Sequence, residues 1–339
     1  MRVIGDRLIV TWNDDIETAP ASTRRQVRTV SAWGDVVQSN LARRRVLVIG
    51  AGSVGLDVAV RLAASGLAYL TIMDFDVVKL HNLDRMIGAR YRDAVLQRPK
   101  AHVAQREALR NATALTPKIR AVPLSICEPD GLREALDHDL IFCCVDRPWP
   151  RAVLNSLAYT DLIPVIDGGI AIDTRVDKTM RNATWRSHVI RPGRRCMACI
   201  RQLDMARVAL DIQGLLDDPQ YIAGAFGASG VDTGHNVAPL SINVAGALLA
   251  QYVSLSVAPG DVGEPGPLQY VLSTHQLDHV QVRGSRNCMY EVDEPLGDAR
   301  PSLTDTHAAA AMAREAEARL PWRLRLLRRL DDGLMALTG

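Results

Sequence analysis

The residues with most chemical content begin at a glycine turn. Gly50-Ala51-Gly52-Ser53-Val54-Gly55 lies between an apolar run, Val46-Leu47-Val48-Ile49, and a helix predicted from about Val54 to Ser65. Glycines let a backbone turn tightly and approach a phosphate, and a helix N-terminus offers that phosphate free N–H groups. Asp74 stands nineteen residues beyond Gly55, at the end of a second predicted strand, Tyr69 to Met73. An acid in that place accepts hydrogen bonds from ribose hydroxyls. Gly50, Gly52, Gly55 and Asp74 together point to a nucleotide, with NAD and ATP fitting equally well. The plainer alternative is that the glycines serve only a tight turn.

The residues that follow separate the two nucleotides. Asp76, Asn82, Arg85 and Lys100 come next, and Asp146 follows a predicted strand around Leu140–Val145. Hydride transfer has no need for this set. Attack of a carboxylate on the α-phosphate of ATP does need it, because negative charge builds there and on the leaving pyrophosphate. Arginine and lysine offset that charge, and an aspartate holds Mg²⁺. No Walker A sequence is present, so the lysine must come from elsewhere in the fold.

The run from Val46 to about Ile170 resembles the adenylation domain shared by ThiF, MoeB, HesA and the eukaryotic E1 enzymes. The shared elements are the glycine loop, Asp74-Phe75-Asp76, Asn82-Leu83-Asp84-Arg85, Pro99-Lys100, and Asp146 after Cys143-Cys144-Val145. Five elements in order are far more specific than one glycine motif. The resemblance implies that Asp74 binds ribose, that Asn82, Arg85 and Lys100 contact the triphosphate, with Asp76 beside them, and that Asp146 holds Mg²⁺. Arg25-Gln26-Val27 resembles the family's Arg-Gln-Ile, whose arginine reaches ATP in the partner subunit of a homodimer; a solvated basic face of Arg24, Arg25 and Arg28 is the alternative. Met86 stands where the family usually has Gln, and Arg147 where it usually has Asn. Arg151 matches a recurrent family arginine. The implied activity is ATP-dependent adenylation of the C-terminal carboxylate of a ubiquitin-like or sulfur-carrier protein, with thioester transfer as an optional second step. The chain also resembles the E1-like proteins of bacterial operons that encode a ubiquitin-like protein, an E2-like protein and a JAB-type peptidase and are associated with antiphage defence. Three alternatives stay open: sulfur-carrier activation for thiamin or molybdopterin synthesis, an NAD-dependent oxidoreductase, and an inactive E1-like subunit that pairs with an active one.

Cys196-Met-Ala-Cys199 falls where the family often has a Cys-x-x-Cys that joins a second pair around structural Zn²⁺. At the second place this chain has Cys288-Met-Tyr-Glu291. A site of Cys196, Cys199, Cys288 and Glu291 is chemically sound, since carboxylate oxygen binds zinc; loss of zinc is the alternative. No cysteine lies between Ile200 and Asn287, so a thioester would have to form on Cys196, Cys199 or Cys288. Cys127, Cys143 and Cys144 read as small core residues.

The elements that must position these groups alternate. Helix 100–114, strand 118–122, helix 130–137, strand 139–145, helix 150–158 and strand 163–167 follow in turn. This pattern predicts an α/β fold: a Rossmann-like, doubly wound, mostly parallel sheet with helices on both faces and the ligand at the carboxyl ends of the strands. A strand at Leu8–Trp12 and a helical segment at 22–42 precede it. Two strand-like stretches flank Cys196-Cys199, a Gly- and Asp-rich stretch occupies 213–235, and an apolar helix spans about 237–257. C-terminal strands near 268–273 and 277–283 follow, then a basic tail, 302–335, of two helices broken at Pro321. The expected divisions are an N-terminal strand and helical segment 1–44, an adenylation domain 45–300 (nucleotide-binding half 45–170, carrier-binding and crossover region 171–300) and a helical tail 301–339. The net charge of +2 gives no push toward nucleic acid or acidic membranes. The longest apolar stretch carries Ser241, Asn243, Gln251 and Ser254, which suits a core helix better than a bilayer span. Six cysteines and no secretory signal pattern point to a reducing cytoplasm.

Overall fold

A computed structural model describes residues 1–217, 236–280 and 288–338. The N-terminal strand is half of a hairpin: β1 (Arg2–Ile4) pairs antiparallel with β2 (Leu8–Val10). The helical segment after it is split into α1 (Val27–Trp33) and α2 (Asp35–Ala42). Gly34 causes the break, at φ +83° and ψ 162°, outside any helical conformation.

The main sheet then builds from alternating elements. These are β3 (Arg45–Ile49), α3 (Ser53–Ala64), β4 (Tyr69–Met73), α4 (Tyr91–Val95), α5 (Lys100–Asn111), β5 (Lys118–Val122), α6 (Pro129–Ala135), β6 (Leu140–Cys143), α7 (Pro148–Thr160), β7 (Val165–Thr174) and β8 (Met180–Ile190). After them come α8 (Met205–Ile212), α9 (Ala238–Val257), β9 (Leu268–Val271), β10 (Gln276–His279), α10 (Ala308–Ala318) and α11 (Trp322–Thr338). The eight strands lie in the order β10-β9-β8-β7-β6-β3-β4-β5. β3 to β7 run parallel, and β8 to β10 extend the sheet antiparallel. The chain moves outward from β3 to β5, then returns to β6 on the other side of β3. The ends of β3 and β6 are therefore adjacent, with Ile49 opposite Cys143. Such a reversal leaves a crevice, where open α/β sheets bind ligands.

Continuous apolar strands make sense because both faces are covered. Val46, Val48, Leu70, Ile72, Leu140 and Phe142 share one core with α3, α5 and α9. Leu47, Ile49, Met73, Ile141 and Cys143 turn to the other core, with α7 and Cys196, Met197 and Cys288. By length and composition α9 is apolar enough to cross a bilayer, the one such helix among the described residues. It packs instead on α3, β7 and β8, with Leu240, Val244, Leu248, Tyr252 and Leu255 buried.

One expectation needs correction, and two others fall partly outside the described residues. Cys196 and Cys199 are not flanked by strands: β7 and β8 both precede them, and α8 follows. The stretch 213–235 beyond residue 217 and the end of the strand expected at 277–283 lie outside the described residues. The basic tail is tied to the body by its arginines. Arg314 forks onto Glu128 at 2.6 and 2.8 Å. Arg328 donates to Leu96 O at 2.7 Å and pairs with Glu317 at 2.6 Å. Arg98, buried beside α4, reaches Asp331 at 2.6 Å and Asp332 at 2.7 Å on α11.

Arg98 thus joins α11 to the body across half-buried carboxylates, where removing one partner strands the others. We expect Arg98→Met to cost roughly 1–3 kcal/mol in urea unfolding and to expose α11 to protease first. Clipping within α11 no faster than in wild type would show that the helix is held by other contacts.

Candidate active site

The glycine turn works through close approach. Gly50 has φ +89°, and a Cβ there would lie 2.7 Å from the Cys144 carbonyl oxygen. A Cβ at Gly55 would lie 1.8 Å from the Gly50 oxygen. The two glycines therefore let the first turn of α3 press onto the loop, and the loop onto the end of β6. Gly52 differs, because its Cβ would meet nothing within 4 Å. It borders the open side of the turn. Ser53 accepts hydrogen bonds from Asn236 and Ser241, both at 3.0 Å, which tie the start of α9 to this turn.

Asp74 leaves the end of β4 and is braced from two sides. One oxygen accepts from Ala51 N at 2.7 Å and the other from Asp76 N at 2.8 Å. Lys100 begins α5, where its N–H donates to Asp76 O and its ammonium pairs with the Asp76 carboxylate, both at 2.8 Å. Asp146 follows β6, exposed, with no ion pair or hydrogen bond among the described residues. Burial would lower the Lys100 pKa, but the fields of Asp74, Asp76 and Asp146 outweigh it and raise the ammonium above its usual value. Burial pushes the Asp74 carboxyl up to about 6, with Lys100 pulling it down. One ammonium among three carboxylates is thus the focus of the crevice.

The other expected residues sit around this focus. Asn82 is buried and accepts from Lys79 N at 2.9 Å, so its carbonyl closes its own turn. Arg85 is held in the same loop, donating to His81 O at 2.7 Å and pairing with Asp84 at 3.0 Å. Neither contacts Lys100. Met86 lies in the core beside the sheet, where a glutamine amide would need partners. Arg147 ties the end of β6 to α8 and the segment after it, reaching Asp211 at 3.2 Å and Asp217 at 2.5 Å. Arg25 is exposed on a short 3-10 turn, Arg24–Gln26, and takes no part in the cluster. Its neighbour Gln26 is buried and accepts from Thr23 N at 2.8 Å.

Two groups escaped the sequence. His307, just before α10, stacks edge-on with Phe75 and Trp149, each centroid 5.1 Å away, and meets Ser125 at 2.8 Å. Asp167, Arg186 and His188, met by the Arg151 already noted in the sequence, form a polar cluster between α7 and the paired interior strands β7 and β8. Pairing register brings the latter set together, and no local motif signals it.

Cys196, Cys199 and Cys288 meet within 4.8 Å, with the Cys196 and Cys288 sulfurs 3.4 Å apart. Three thiols converging from separated segments suit Zn²⁺. Glu291, the expected fourth ligand, falls outside the group because Cys288 is followed by a turn, Glu291–Asp293, that carries it toward Arg194 and Arg195. Burial pushes the thiols of Cys127, Cys143 and Cys144 well up, as expected of core residues.

The family model described as "ThiF family" matches residues 23–288. The chain is 31% identical over 168 residues to a molybdopterin-synthase adenylyltransferase of Escherichia coli, covering 49% of this chain and 62% of that protein. It is also 31% identical over 132 residues to the NEDD8-activating enzyme E1 catalytic subunit of Schizosaccharomyces pombe, covering 37% of this chain and 28% of that one. The match thus spans about three fifths of the adenylyltransferase and under a third of the activating subunit. Among solved structures, E. coli MccB with ATP superposes with a TM-score of 0.58 at 18% identity, covering 79% of this chain and 74% of that one. At that identity the likeness concerns the fold.

Asp74 offers a ribose hydroxyl a charge-assisted acceptor only while ionised. Its raised pKa means that it takes up its proton as pH falls through about 6. Adenosine, which has no phosphate to titrate, is expected to bind more weakly at pH 5 than at pH 7.5, by about tenfold for one charge-assisted bond. Asp74→Asn should bind weakly at both. Equal wild-type affinity at the two pH values would remove Asp74 from the ribose site.

Proposed function

The chain belongs to the ThiF family, and from that premise we propose that it adenylates the C-terminal carboxylate of a small carrier protein, using ATP and releasing pyrophosphate. The observation that carries this reading is Lys100, held amid Asp74, Asp76 and Asp146 where the sheet reverses. A carboxylate oxygen attacks the α-phosphorus, the bond to the bridging oxygen breaks, and pyrophosphate leaves with the electron pair. No proton moves, so the site needs preorganised cations rather than a base. Lys100 and Arg85 supply positive charge, and Asp74 orients the ribose. Asp146, exposed and unpaired, would hold Mg²⁺, which supplies charge neutralisation at the phosphates.

The carrier is a ubiquitin-like or sulfur-carrier protein. The two relatives, a molybdopterin-synthase adenylyltransferase and a NEDD8-activating subunit, support both classes. Within this reading Arg25 serves the site of a second subunit in a homodimer, which its exposure permits. Cys196, Cys199 and Cys288 bind structural Zn²⁺, with the fourth ligand outside the three-thiol group. An E2-like partner, a role in antiphage defence and a cytoplasmic location belong to the same proposal. They follow from the sequence resemblance and from the six free thiols.

Calorimetry with ATP·Mg²⁺ and NAD⁺ tests the nucleotide. Preference for ATP·Mg²⁺ is expected, weakened about tenfold or more in Asp146→Ala and in Lys100→Ala, as loss of a charged contact implies. Preference for NAD⁺, indifferent to Asp146, would sink the adenylation reading. Metal analysis of the purified chain is expected to find one zinc, absent in Cys288→Ser; a metal-free wild type that folds normally would exclude the structural zinc.

A further inference from the structure

Beneath the outer part of the crevice lies an unbalanced set of charges. Asp167 on β7 is fully buried, and Arg151 from α7 approaches it at 3.2 Å. Arg186 on β8 approaches the other oxygen at 3.9 Å. Strand register sets the arrangement: Asp167 pairs with His188 and Gly169 with Arg186, so all four side-chain positions share one face. His188 is buried, which pushes its pKa down to about 4 and leaves it neutral at neutral pH. Two guanidinium groups therefore share one carboxylate.

Hydrogen bonding is just as incomplete. Buried atoms that make ion-pair contacts at most, with no hydrogen bond of good geometry, include Nε and Nη2 of Arg186, Nε of Arg151, both Asp167 oxygens and both His188 nitrogens. A buried polar group left unpaired costs free energy, so such a concentration calls for a compensating occupant. Burial, then repulsion from Arg151, lowers the Arg186 pKa to about 10, as surplus positive charge should. The Arg186 side chain keeps 24% of its surface exposed, so the cluster is reachable from outside.

A glycine lets the two guanidinium groups come close to β7 at the same point. A Cβ on Gly169 would stand 3.0 Å from Arg151 Nη2 and 3.6 Å from Arg186 Nη2. The two guanidinium groups thus converge where β7 carries no side chain. Arg151 also feels the field of Asp146, which in turn acts on Lys100, so this spot adjoins the proposed phosphate region. A planar fork beside a second guanidinium, over a glycine, is suited to a carboxylate at the end of a polypeptide.

We propose that Arg186, braced by Asp167 and set beside Arg151 over Gly169, is the subsite that receives the carboxylate of the acyl substrate before it attacks ATP. This rests on the adenylation reading. Arg186 is then a binding residue of the reaction, and Asp167 a positioning residue.

The test uses acetylglycylglycine, a minimal peptide carboxylate, titrated by calorimetry into the full-length chain with ATP·Mg²⁺ bound; its C-terminal amide is the control. The acid is expected to bind, and the amide at least about tenfold more weakly, as loss of a charge-assisted contact implies. Arg186→Met should lose acid affinity by a similar factor while keeping its ATP·Mg²⁺ affinity within twofold, which also reports that it is folded. Arg186→Lys keeps the charge without the fork and should fall between the two. The proposal is overturned if wild type binds neither peptide or takes the amide as well as the acid. It is equally overturned if either variant keeps full acid affinity. Failure of wild type to bind ATP·Mg²⁺ would instead overturn the adenylation reading, and this subsite with it.

Discussion

The crevice depends on how closely the backbone after β3 can pass the end of β6. Gly50 passes so close to Cys144 that a Cβ would lie 2.7 Å from its carbonyl oxygen, and Gly55 presses its helix onto Gly50. That contact sets where Ala51 N points, and Ala51 N braces Asp74. It also sets how near the end of β4 comes to the loop after β6. Larger residues would push β3 and β6 apart where their ends carry the acids. The site is a product of main-chain proximity first and of side-chain identity second.

Charge is then distributed unevenly along the crevice. One end gathers Asp74, Asp76 and Asp146 around a single ammonium. The other gathers Arg151 and Arg186 over a single carboxylate. Like charges held at short range are costly in a low-dielectric setting, and neither end is balanced by its own residues. An acid-rich end suits a metal-bearing polyphosphate, and an arginine-rich end suits an anion with no metal. On the proposed reading the two reactants carry those complementary charges. Asp146 and Arg151, five residues apart on the turn and first coils of α7, join the two ends electrostatically.

Much of this was legible in the sequence because the signals were local. Apolar runs at strand length, the helical period between them and the acids at strand ends each depend on neighbours a few residues away. Tyr69–Met73 and 118–122 were placed to the residue for that reason. The break at Gly34 was missed because the apolar pattern runs on through it, while a single backbone angle ends the helix. Asp167, Arg186 and His188 were invisible for a different reason. They meet only through the register of β7 with β8, set by a hairpin that no motif announces. Glu291 stands outside the three-thiol group because the chain after Cys288 forms a 3-10 turn there, which its spacing from Cys288 does not announce. The converging thiols of Cys196, Cys199 and Cys288, far apart in sequence, were recovered through the family pattern.

The strap formed by residues 303–314 bears on when the crevice becomes whole. Leu303 accepts from the Trp149 indole, Asp305 donates to Cys127 O, His307 lies against Phe75, and Arg314 clasps Glu128. Every other element of the nucleotide-facing edge, from β3 to α7, leaves the ribosome well before these residues do. A nascent chain can therefore assemble its parallel sheet while the loops after β4, β5 and β6 still lack their outer wall. That wall is completed only once residues 303–314 have been synthesised, so the crevice stays unfinished until the antiparallel extension and α9 have been made.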